Sequence, residues 1–300
     1  MLREVTTRAA SQRTPHVGLR KKLYPLARWY AHRFPHRGTH AAVRMLHPLD
    51  ASARRHAVTA EVDYAGAKML VDTSDLIGWR LYFFGTYRPD RLAVLRTLHP
   101  GEIAFDIGAS QGMFTLAMAG AVGATGFVHA FEPAPDEFRK LRANVALNPF
   151  ANVALNPVAL SDRTGDAILH VSEDSNRSAS SLVSGGRDAS TACRTVRLDE
   201  YTRDMARLDF ISLDAQGADL LVLRGAEETL NRFAPRLLLT SVCEPLYRAA
   251  GTSTGEIARF LTDRGYALRW IAPRSWRPRS GSDSIAVVAE PRAASRREAA

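Results

Sequence analysis

The sequence predicts a three-layer α/β fold built around a parallel sheet. From residue 101 onward, short apolar runs typical of strands alternate with longer runs in which apolar residues recur at helical spacing. Strands and helices that alternate in this way indicate strand–helix–strand units, whose strands lie parallel. The last two strand-like runs, 265–272 and 284–290, are not separated by a helical pattern and predict a terminal hairpin.

The individual elements of the main domain follow from this alternation. Strands are predicted at 102–107, 126–133, 152–160, 208–214 and 235–242, with two further strand-like runs at 167–172 and 194–198. Helices are predicted at 113–123, 135–148, 219–233 and 254–265. The Ser-rich segment 172–190 is interpreted as a flexible surface loop, or as a lid with Ser180 and Ser181 pointing inward.

The N-terminal part of the chain is predicted to extend this domain. Residues 1–18 are expected to be a disordered basic arm, and residues 19–98 a cap of helices and a hairpin. Within the cap, 19–34 has helical spacing with a kink expected at Pro25, 55–72 alternates around the turn Ala65-Gly66, and 89–98 forms a short helix. The basic face of 19–34 suits a membrane surface, but packing on the main domain is favoured. Residues 99–290 form the main domain and 291–300 a disordered tail.

The net charge of +9 is concentrated in the first 60 residues, which hold 12 lysines and arginines against Glu4 and Asp50. A basic arm can meet nucleic acid or an anionic membrane surface. However, only four of the 40 basic residues are lysines and alanine is abundant, which favours a general arginine and alanine bias over a selected binding face. The charge alone therefore assigns no partner.

Cysteine content and apolar run length bound the environment of the protein. Cys193 and Cys243 are the only cysteines and form no CxxC motif, so we expect neither a disulfide framework nor a metal site. The longest apolar runs, such as 237–239 and 285–289, are far too short to span a bilayer. We expect a cytoplasmic protein without a transmembrane segment. The oligomeric state stays open, with a homodimer possible.

The stretch FDIGASQG, residues 105–112, is typical of a nucleotide-binding loop between a strand and a helix. The glycine spacing Gly108-x-x-x-Gly112 lacks one glycine of the dinucleotide pattern, and no Gly-Lys-Ser/Thr follows. The carboxylate of Asp106 at the strand end would repel a pyrophosphate by several kcal/mol, on the order expected in a partly desolvated cleft. The loop therefore argues against a phosphate-bearing ligand.

Carboxylates follow several predicted strands at the end where open α/β sheets bind their ligands. Asp106, Glu132, Asp162 and Asp214 occupy these positions, so a parallel sheet brings the four to the rim of one crevice. A ligand that fits them carries positive charge and a ribose but no phosphate. S-adenosylmethionine has an ammonium, a sulfonium and an adenosine, and is the cofactor that the sequence predicts.

Each candidate residue has an expected contact with this cofactor. Asp106 faces its amino acid end, Glu132 accepts the ribose hydroxyls and Asp162 accepts from the adenine amino group. The loop glycines let the backbone approach closely, and the helix that starts at Met113 offers N–H groups to the cofactor carboxylate. The predicted cofactor-binding residues are Asp106, Gly108, Ala109, Ser110, Gly112, Glu132, Ser161 and Asp162.

Five stretches in order resemble the FkbM-type methyltransferases, which are class I and depend on S-adenosylmethionine. They are VDTSDLIGWRLYFFGTYRPD, DIGASQGMFTLAMA, AFEPAPDEFRKLRANVALN, NPVALSDRTGDAILHVS and LDFISLDAQGADLLVLRGAEETL, and the resemblance runs from about Val62 to Ala267. It implies a Rossmann-like class I methyltransferase fold, with a mostly parallel seven-stranded sheet and an antiparallel C-terminal strand. It also implies methyl transfer, usually to an oxygen of a sugar, polyketide or other small metabolite.

The chain departs from the family pattern mainly on the substrate side. Ser110 stands where the family loop often has Asn, Arg88 where a Tyr-Glu-Pro has Glu, and Ser212 where Lys is common. Thr240 occupies a position where an acid is common, with Glu244 four residues further on. These changes indicate either a different acceptor or lost catalysis.

Asp214, at the end of the fourth predicted strand, is the catalytic candidate. Alignment of the acceptor supplies most of the catalysis of methyl transfer, and an alcohol also gains from a general base. We expect Asp214 to be that base or an acceptor anchor; the alternative is a cofactor contact or a helix cap. A small-molecule hydroxyl is the favoured acceptor. A nucleic acid is disfavoured because 214–217 lacks an Asp/Asn-Pro-Pro-aromatic run, and a non-catalytic relative is the third possibility.

Overall fold

The computed structural model describes residues 21–34, 37–49, 53–171, 180–183, 189–271 and 285–292. Three predicted segments lie wholly or mostly outside these residues: the arm 1–18, residues 293–300 of the tail, and the Ser-rich segment. The strands are β1 (Thr59–Tyr64), β2 (Ala67–Asp72), β3 (Ile103–Ile107), β4 (Phe127–Phe131), β5 (Val153–Asn156), β6 (Ala159–Leu160), β7 (Gly165–Val171), β8 (Ala189–Val196), β9 (Phe210–Leu213), β10 (Arg236–Val242), β11 (Tyr266–Ile271) and β12 (Ile285–Pro291).

The helices lie in the cap and between the strands. They are α1 (Tyr24–Arg33), α2 (Arg37–Leu46), α3 (Ala53–His56), α4 (Leu76–Phe84), α5 (Pro89–Leu95), α6 (Met113–Val122), α7 (Pro135–Ala146), α8 (Leu198–Tyr201), α9 (Asp219–Arg224), α10 (Glu227–Phe233), α11 (Glu244–Ala249) and α12 (Thr254–Asp263). Among the residues that the structure describes, no helix is both long and apolar enough to cross a membrane.

A seven-stranded sheet forms the centre of the molecule, in the order β11-β12-β10-β9-β3-β4-β5. β3 pairs in parallel with β4 and β9, and β9 in parallel with β10. β12 alone runs antiparallel to its two neighbours, β10 and β11. This order and this single reversed strand confirm the predicted Rossmann-like, class I methyltransferase architecture.

Both faces of the sheet are buried, which gives the three predicted layers. Successive residues of β3 point to opposite faces: Ala104 belongs to one apolar core, whereas Phe105 and Ile107 belong to the other. The first core also contains the inward residues of α6 and of the cap, such as Trp79 and Phe83. Residues 21–34, the described part of the predicted run 19–34, are therefore packed on the main domain, as expected.

The predicted cap elements occur with one correction. β1 and β2 form the antiparallel hairpin around Ala65-Gly66, and α5 occupies the start of 89–98. The expected kink at Pro25 is wrong, because α1 begins at Tyr24 and Pro25 lies in its first turn. Proline is tolerated there, since the first backbone N–H groups of a helix have no intrahelical acceptor.

Two predicted elements of the main domain are each divided in two. The run 152–160 separates at Pro157 into β5, in the main sheet, and β6, which joins the three-stranded sheet β6-β8-β7. The run 219–233 separates at Gly225 into α9 and α10. A Cβ at Gly225 would lie 2.0 Å from the carbonyl oxygen of Ser161, so this helix break lies directly against the chain that follows β6.

Candidate functional site

Asp106 lies in β3 with its side chain directed towards α6. Its carboxylate is 1% exposed and accepts a 2.6 Å hydrogen bond from the hydroxyl of Thr115. Burial raises the pKa of Asp106 to about 6, although the hydroxyls of Thr115 and Ser212 act in the opposite direction. An acid with this environment is poised to gain from a cationic ligand.

The loop after β3 has a backbone that depends on glycine. Gly108 has a φ of +80°, and a Cβ there would lie 2.1 Å from the carbonyl oxygen of Asp214. Gly112, with a φ of +93°, precedes α6 directly, and Ser110 adopts a φ of +50°. The N–H groups of Gly108 and Ala109 both donate to the carbonyl oxygen of Phe131 at 3.0 Å. The loop is thereby held against the ends of β4 and β9.

Glu132 follows β4 and is tied to this loop. Its side chain accepts the backbone N–H of Ser110 at 2.7 Å and that of Ala134 at 2.8 Å. It is 5% exposed, and burial raises its pKa to about 7. The hydroxyl of Ser110 donates to Glu137 at 3.0 Å, and Lys140 donates to the other oxygen of Glu137 at 2.5 Å.

Asp214 follows β9, on the other side of the loop. One carboxylate oxygen accepts from the hydroxyls of Thr240 at 2.7 Å and Ser241 at 2.9 Å, and the other from the amide of Gln216 at 2.5 Å. Thr240, which stands where the family commonly has an acid, therefore orients Asp214. Three donors fix the direction in which this carboxylate points.

Arg88 and Arg91 bring positive charge to the same region. Arg91 is 2% exposed and donates two hydrogen bonds, of 3.2 and 3.1 Å, to the carbonyl oxygen of Thr240. Burial acts against the charge of Arg88, but Tyr87, Asp214 and Asp90 outweigh it and leave the pKa of Arg88 raised. Where the family usually has Glu, this chain thus has a cation that interacts electrostatically with Asp214.

Ser161 and Asp162 adjoin a different sheet from the other predicted residues. They follow β6 rather than a strand of the main sheet, so the assumption that Asp162 ends a neighbouring parallel strand is wrong. Ser161 is 4% exposed and its hydroxyl donates to Asp162 at 3.2 Å, while the Asp162 side chain is exposed. Their roles at the adenine stay predictions.

A pocket lies where the loop, β4, β6 and β9 end. Among the predicted residues, Gly108, Glu132 and Asp214 line it, together with apolar side chains such as Phe131 and Leu160. Ser180, Ser181 and Leu182 lie across it, held by the two backbone hydrogen bonds between Ser181 and His170, of 2.8 and 2.9 Å. Ser180 and Ser181 thus face the pocket, as the lid interpretation expected, although most of the segment lies outside the described residues.

Several residues of the site escaped the sequence reasoning. Thr115 carries no motif, and its role depends on the helix that follows the loop. Gln111 donates to Asp75 at 3.3 Å and so joins the loop to the start of α4. Asp219, 1% exposed, accepts from the N–H of Gly217 at 3.1 Å, and burial raises its pKa to about 7. In the sequence, the only signal for Asp219 was its position at the start of a predicted helix, which is typical of a helix cap.

The donor set suits S-adenosylmethionine better than a metal ion. Two buried carboxylates, Asp106 and Glu132, flank a glycine loop beside the pocket and carry pKa values raised by desolvation, so both would gain from positive charge or hydroxyl donors. A group of three or more potential metal ligands is absent from the part of the chain that the structure describes.

Comparisons with known proteins identify the family of the chain. The model of the methyltransferase FkbM domain matches residues 106–268. The 31-O-demethyl-FK506 methyltransferase FkbM of Streptomyces tacrolimicus is 30% identical over 205 residues, which cover 57% of this chain and 75% of that protein.

Solved structures that are similar to this chain include further methyltransferases. Methyltransferase FkbM from Methylobacillus flagellatus is 16% identical with a TM-score of 0.43, over 70% of this chain and 52% of the other, so the match spans about half of that protein. Fibrillarin from Aeropyrum pernix, solved with S-adenosylmethionine, is 15% identical with a TM-score of 0.43, over 77% of this chain and 82% of the other.

Proposed function

Since the chain belongs to the FkbM family of S-adenosylmethionine-dependent methyltransferases, we propose that it methylates a hydroxyl oxygen of a small metabolite. The observation that carries the proposal is the position of Asp214, which lines the same pocket as Gly108 and Glu132. The relative from Streptomyces tacrolimicus, whose name describes O-methylation of a small molecule, supports this acceptor class.

The donor side of the site is formed by the loop and by two buried acids. S-adenosylmethionine, when bound, supplies an electrophilic methyl group on a sulfonium. We assign the amino acid end of the cofactor to Asp106 and the backbone of Gly108, Ala109, Ser110 and Gly112, and the ribose to Glu132. Ser161 and Asp162 are retained as proposed adenine contacts, reached through the small sheet that begins with β6.

The acceptor side is formed by Asp214 and the groups that hold it. Its lone pairs accept from Thr240, Ser241 and Gln216, so the carboxylate is kept in one orientation. A hydroxyl that displaces one of these donors would hydrogen-bond to Asp214 in a defined direction. Asp214 is then positioned to align the acceptor oxygen and to take its proton as the new bond forms.

The free cysteines Cys193 and Cys243 are in keeping with a reducing compartment, and we expect the reaction to take place in the cytoplasm. The acceptor class also predicts that no nucleic acid is needed for turnover.

The oligomeric state is a separate question. Every proposed contact comes from one chain, so the assignments hold for a monomer and for a homodimer.

The test compares Asp214→Asn with Ser241→Ala in methyl-transfer assays on a panel of sugar and polyketide alcohols. We expect Asp214→Asn to lower kcat about 10²–10⁴-fold, with little change in the affinity for S-adenosylmethionine. Ser241→Ala removes one of three donors to Asp214 and should lower kcat by about tenfold or less. A kcat for Asp214→Asn close to that of the parent chain would refute the assignment. Turnover that requires an RNA or DNA acceptor would refute it as well.

A further inference from the structure

Helix α1 presents an apolar face to solvent. Leu26 and Trp29 are 62% and 61% exposed, and Leu23 and Phe34, at the two ends of the helix, are 47% and 45% exposed. These residues recur at spacings of three to five, so they lie on one side of the helix. Four large apolar side chains exposed together on the twelve residues 23–34 are unusual for a surface that faces only water.

The opposite side of α1 is fixed to the molecule, so this face cannot turn inwards. Tyr24 and Ala31 are fully buried, at 1% and 0% exposure. The hydroxyl of Tyr24 donates to the carbonyl oxygen of His56 at 3.0 Å, and its ring packs edge-on against Phe83 at 5.4 Å. The orientation of the helix, and hence of its outward face, follows from these contacts.

The segment that carries the apolar face has charged residues of one sign. Residues 21–49 contain six lysines and arginines and no acidic residue. Lys22 and Arg33 are exposed and lie on the same side of the helix as Leu26 and Trp29. An apolar face whose own segment carries only cations is complementary to a surface that is apolar within and negatively charged outside.

A groove beside this face adds a place for an anionic head group. It is lined by Pro25, Arg28, Trp29, His32, Arg33 and Tyr82. The guanidinium of Arg28 lies over the ring of Tyr82, 5.0 Å from its centroid, which keeps this cation at the groove rather than in solvent. Aromatic rings beside cations are typical of residues at the interface between head groups and acyl chains.

We propose that this face of α1 docks the protein on an anionic phospholipid bilayer, with Leu26 and Trp29 inserted among the acyl chains and Lys22, Arg28 and Arg33 among the phosphates. A bilayer satisfies both halves of the surface, because apolar burial and charge attraction act together there. A second copy of the chain would instead bring like charges together, and a nucleic acid would leave the apolar side chains without a partner. The docking is independent of which acceptor the enzyme methylates.

The test is co-sedimentation of the full chain with phosphatidylcholine vesicles and with vesicles that contain about one third phosphatidylglycerol. We expect at least about tenfold stronger partitioning to the anionic vesicles, and weaker binding as salt is added. The double variant Leu26→Ser/Trp29→Ser should lose about tenfold or more of this binding, and Lys22→Gln/Arg33→Gln should lose the preference for anionic lipid.

Trp270→Ser and Ile168→Ser are matched controls, since these side chains are 47% and 53% exposed on other elements. Both should bind vesicles like the parent chain, and circular dichroism should be the same for all variants. Equal partitioning to neutral and anionic vesicles would overturn the proposal, as would full binding by Leu26→Ser/Trp29→Ser. A dimer in sedimentation equilibrium that Leu26→Ser/Trp29→Ser dissociates would assign the face to a second copy instead.

Discussion

The hydroxyl of Thr115 donates a 2.6 Å hydrogen bond to the carboxylate of Asp106, and both side chains are almost completely buried. The pair connects β3 to the first turn of α6, across the glycine loop. The hydrogen bond from Thr115 does not replace all the water that the carboxylate loses, so burial raises the pKa of Asp106 from 3.8 to about 6. The difference corresponds to roughly 3 kcal/mol of destabilisation of the ligand-free fold above that pH.

Asp106→Asn is therefore expected to separate stability from cofactor binding. The amide keeps an oxygen for Thr115 but carries no charge, so the free energy of unfolding without cofactor should rise by on the order of 1–3 kcal/mol near pH 8. Affinity for S-adenosylmethionine should fall about tenfold or more, because the attraction to its ammonium is lost. Urea unfolding and isothermal titration calorimetry measure the two effects.

Asp136→Asn is the control for the loss of one negative charge, since Asp136 is largely exposed in its ion pair with Arg139. It should leave the affinity unchanged and lower the stability by no more than about 1 kcal/mol, because Asp136 lies in the first turn of α7 and is exposed. A loss of both stability and affinity in Asp106→Asn would contradict the argument from burial.

The affinity for the cofactor should increase with pH. Glu132 and Asp106 have pKa values raised to about 7 and about 6, and only their ionised forms attract a cation or accept from both ribose hydroxyls. We expect affinity for S-adenosylmethionine to rise between about pH 5 and about pH 8, with proton release on binding. Calorimetry in buffers of different ionisation enthalpy measures the released protons.

The stability of the ligand-free protein should move in the opposite direction through the same groups. Their folded pKa values lie above the ordinary 3.8 and 4.5, so the folded state holds more protons than the unfolded chain between those values and about 6 to 7. The contribution is complete below the ordinary values and is lost as pH rises through the folded ones. An affinity that does not vary with pH, or proton uptake on binding, would contradict the raised pKa values of Asp106 and Glu132. Both the expected affinity profile and the expected stability profile depend on these values.

Gly108→Ala and Gly66→Ala should have different effects although both residues have positive φ. Alanine at Gly66, with a φ of +85° and open space around it, meets only the backbone penalty of about 1–2 kcal/mol. Alanine at Gly108 adds a clash with the carbonyl of Asp214, so the loss of unfolding free energy should exceed about 3 kcal/mol. Cofactor affinity should fall only in Gly108→Ala. Equal losses in the two variants would show that the loop yields to the added carbon.

Gly120→Ala and Gly225→Ala should have effects of opposite sign. Gly120 lies in α6, where a Cβ would contact Phe150 at an ordinary 3.8 Å, so alanine should stabilise by about 0.5–1 kcal/mol. Gly225 has a φ of −76°, which alanine adopts readily, but its Cβ would lie 2.0 Å from the carbonyl of Ser161. Urea unfolding should show a loss of about 2 kcal/mol or more for Gly225→Ala. A gain there would mean that β6 can move away from α9.

Elements with a strong local pattern could be predicted from the sequence. Alternation placed β1 and β2 around Ala65-Gly66, and the strand-to-helix switch placed the loop between Asp106 and Met113. The breaks at Pro157 and Gly225 were not predicted, because apolar patterning continues through both positions. The strand divides at Pro157 because β6 joins the three-stranded sheet with β7 and β8. The helix divides at Gly225, which lies against the backbone of Ser161. Both contacts involve residues distant in sequence.

The sequence by itself determined the order of the main elements, the family and the acids that surround the glycine loop, since these depend on residue types and spacings. Only the tertiary structure decided that Thr240 and Ser241 orient Asp214, that Thr115 holds Asp106 and that Asp162 lies outside the main sheet. It also decided which side of α1 is buried. The physical reason is that hydrogen bonds and burial between distant segments depend on strand order and packing, which no local pattern records.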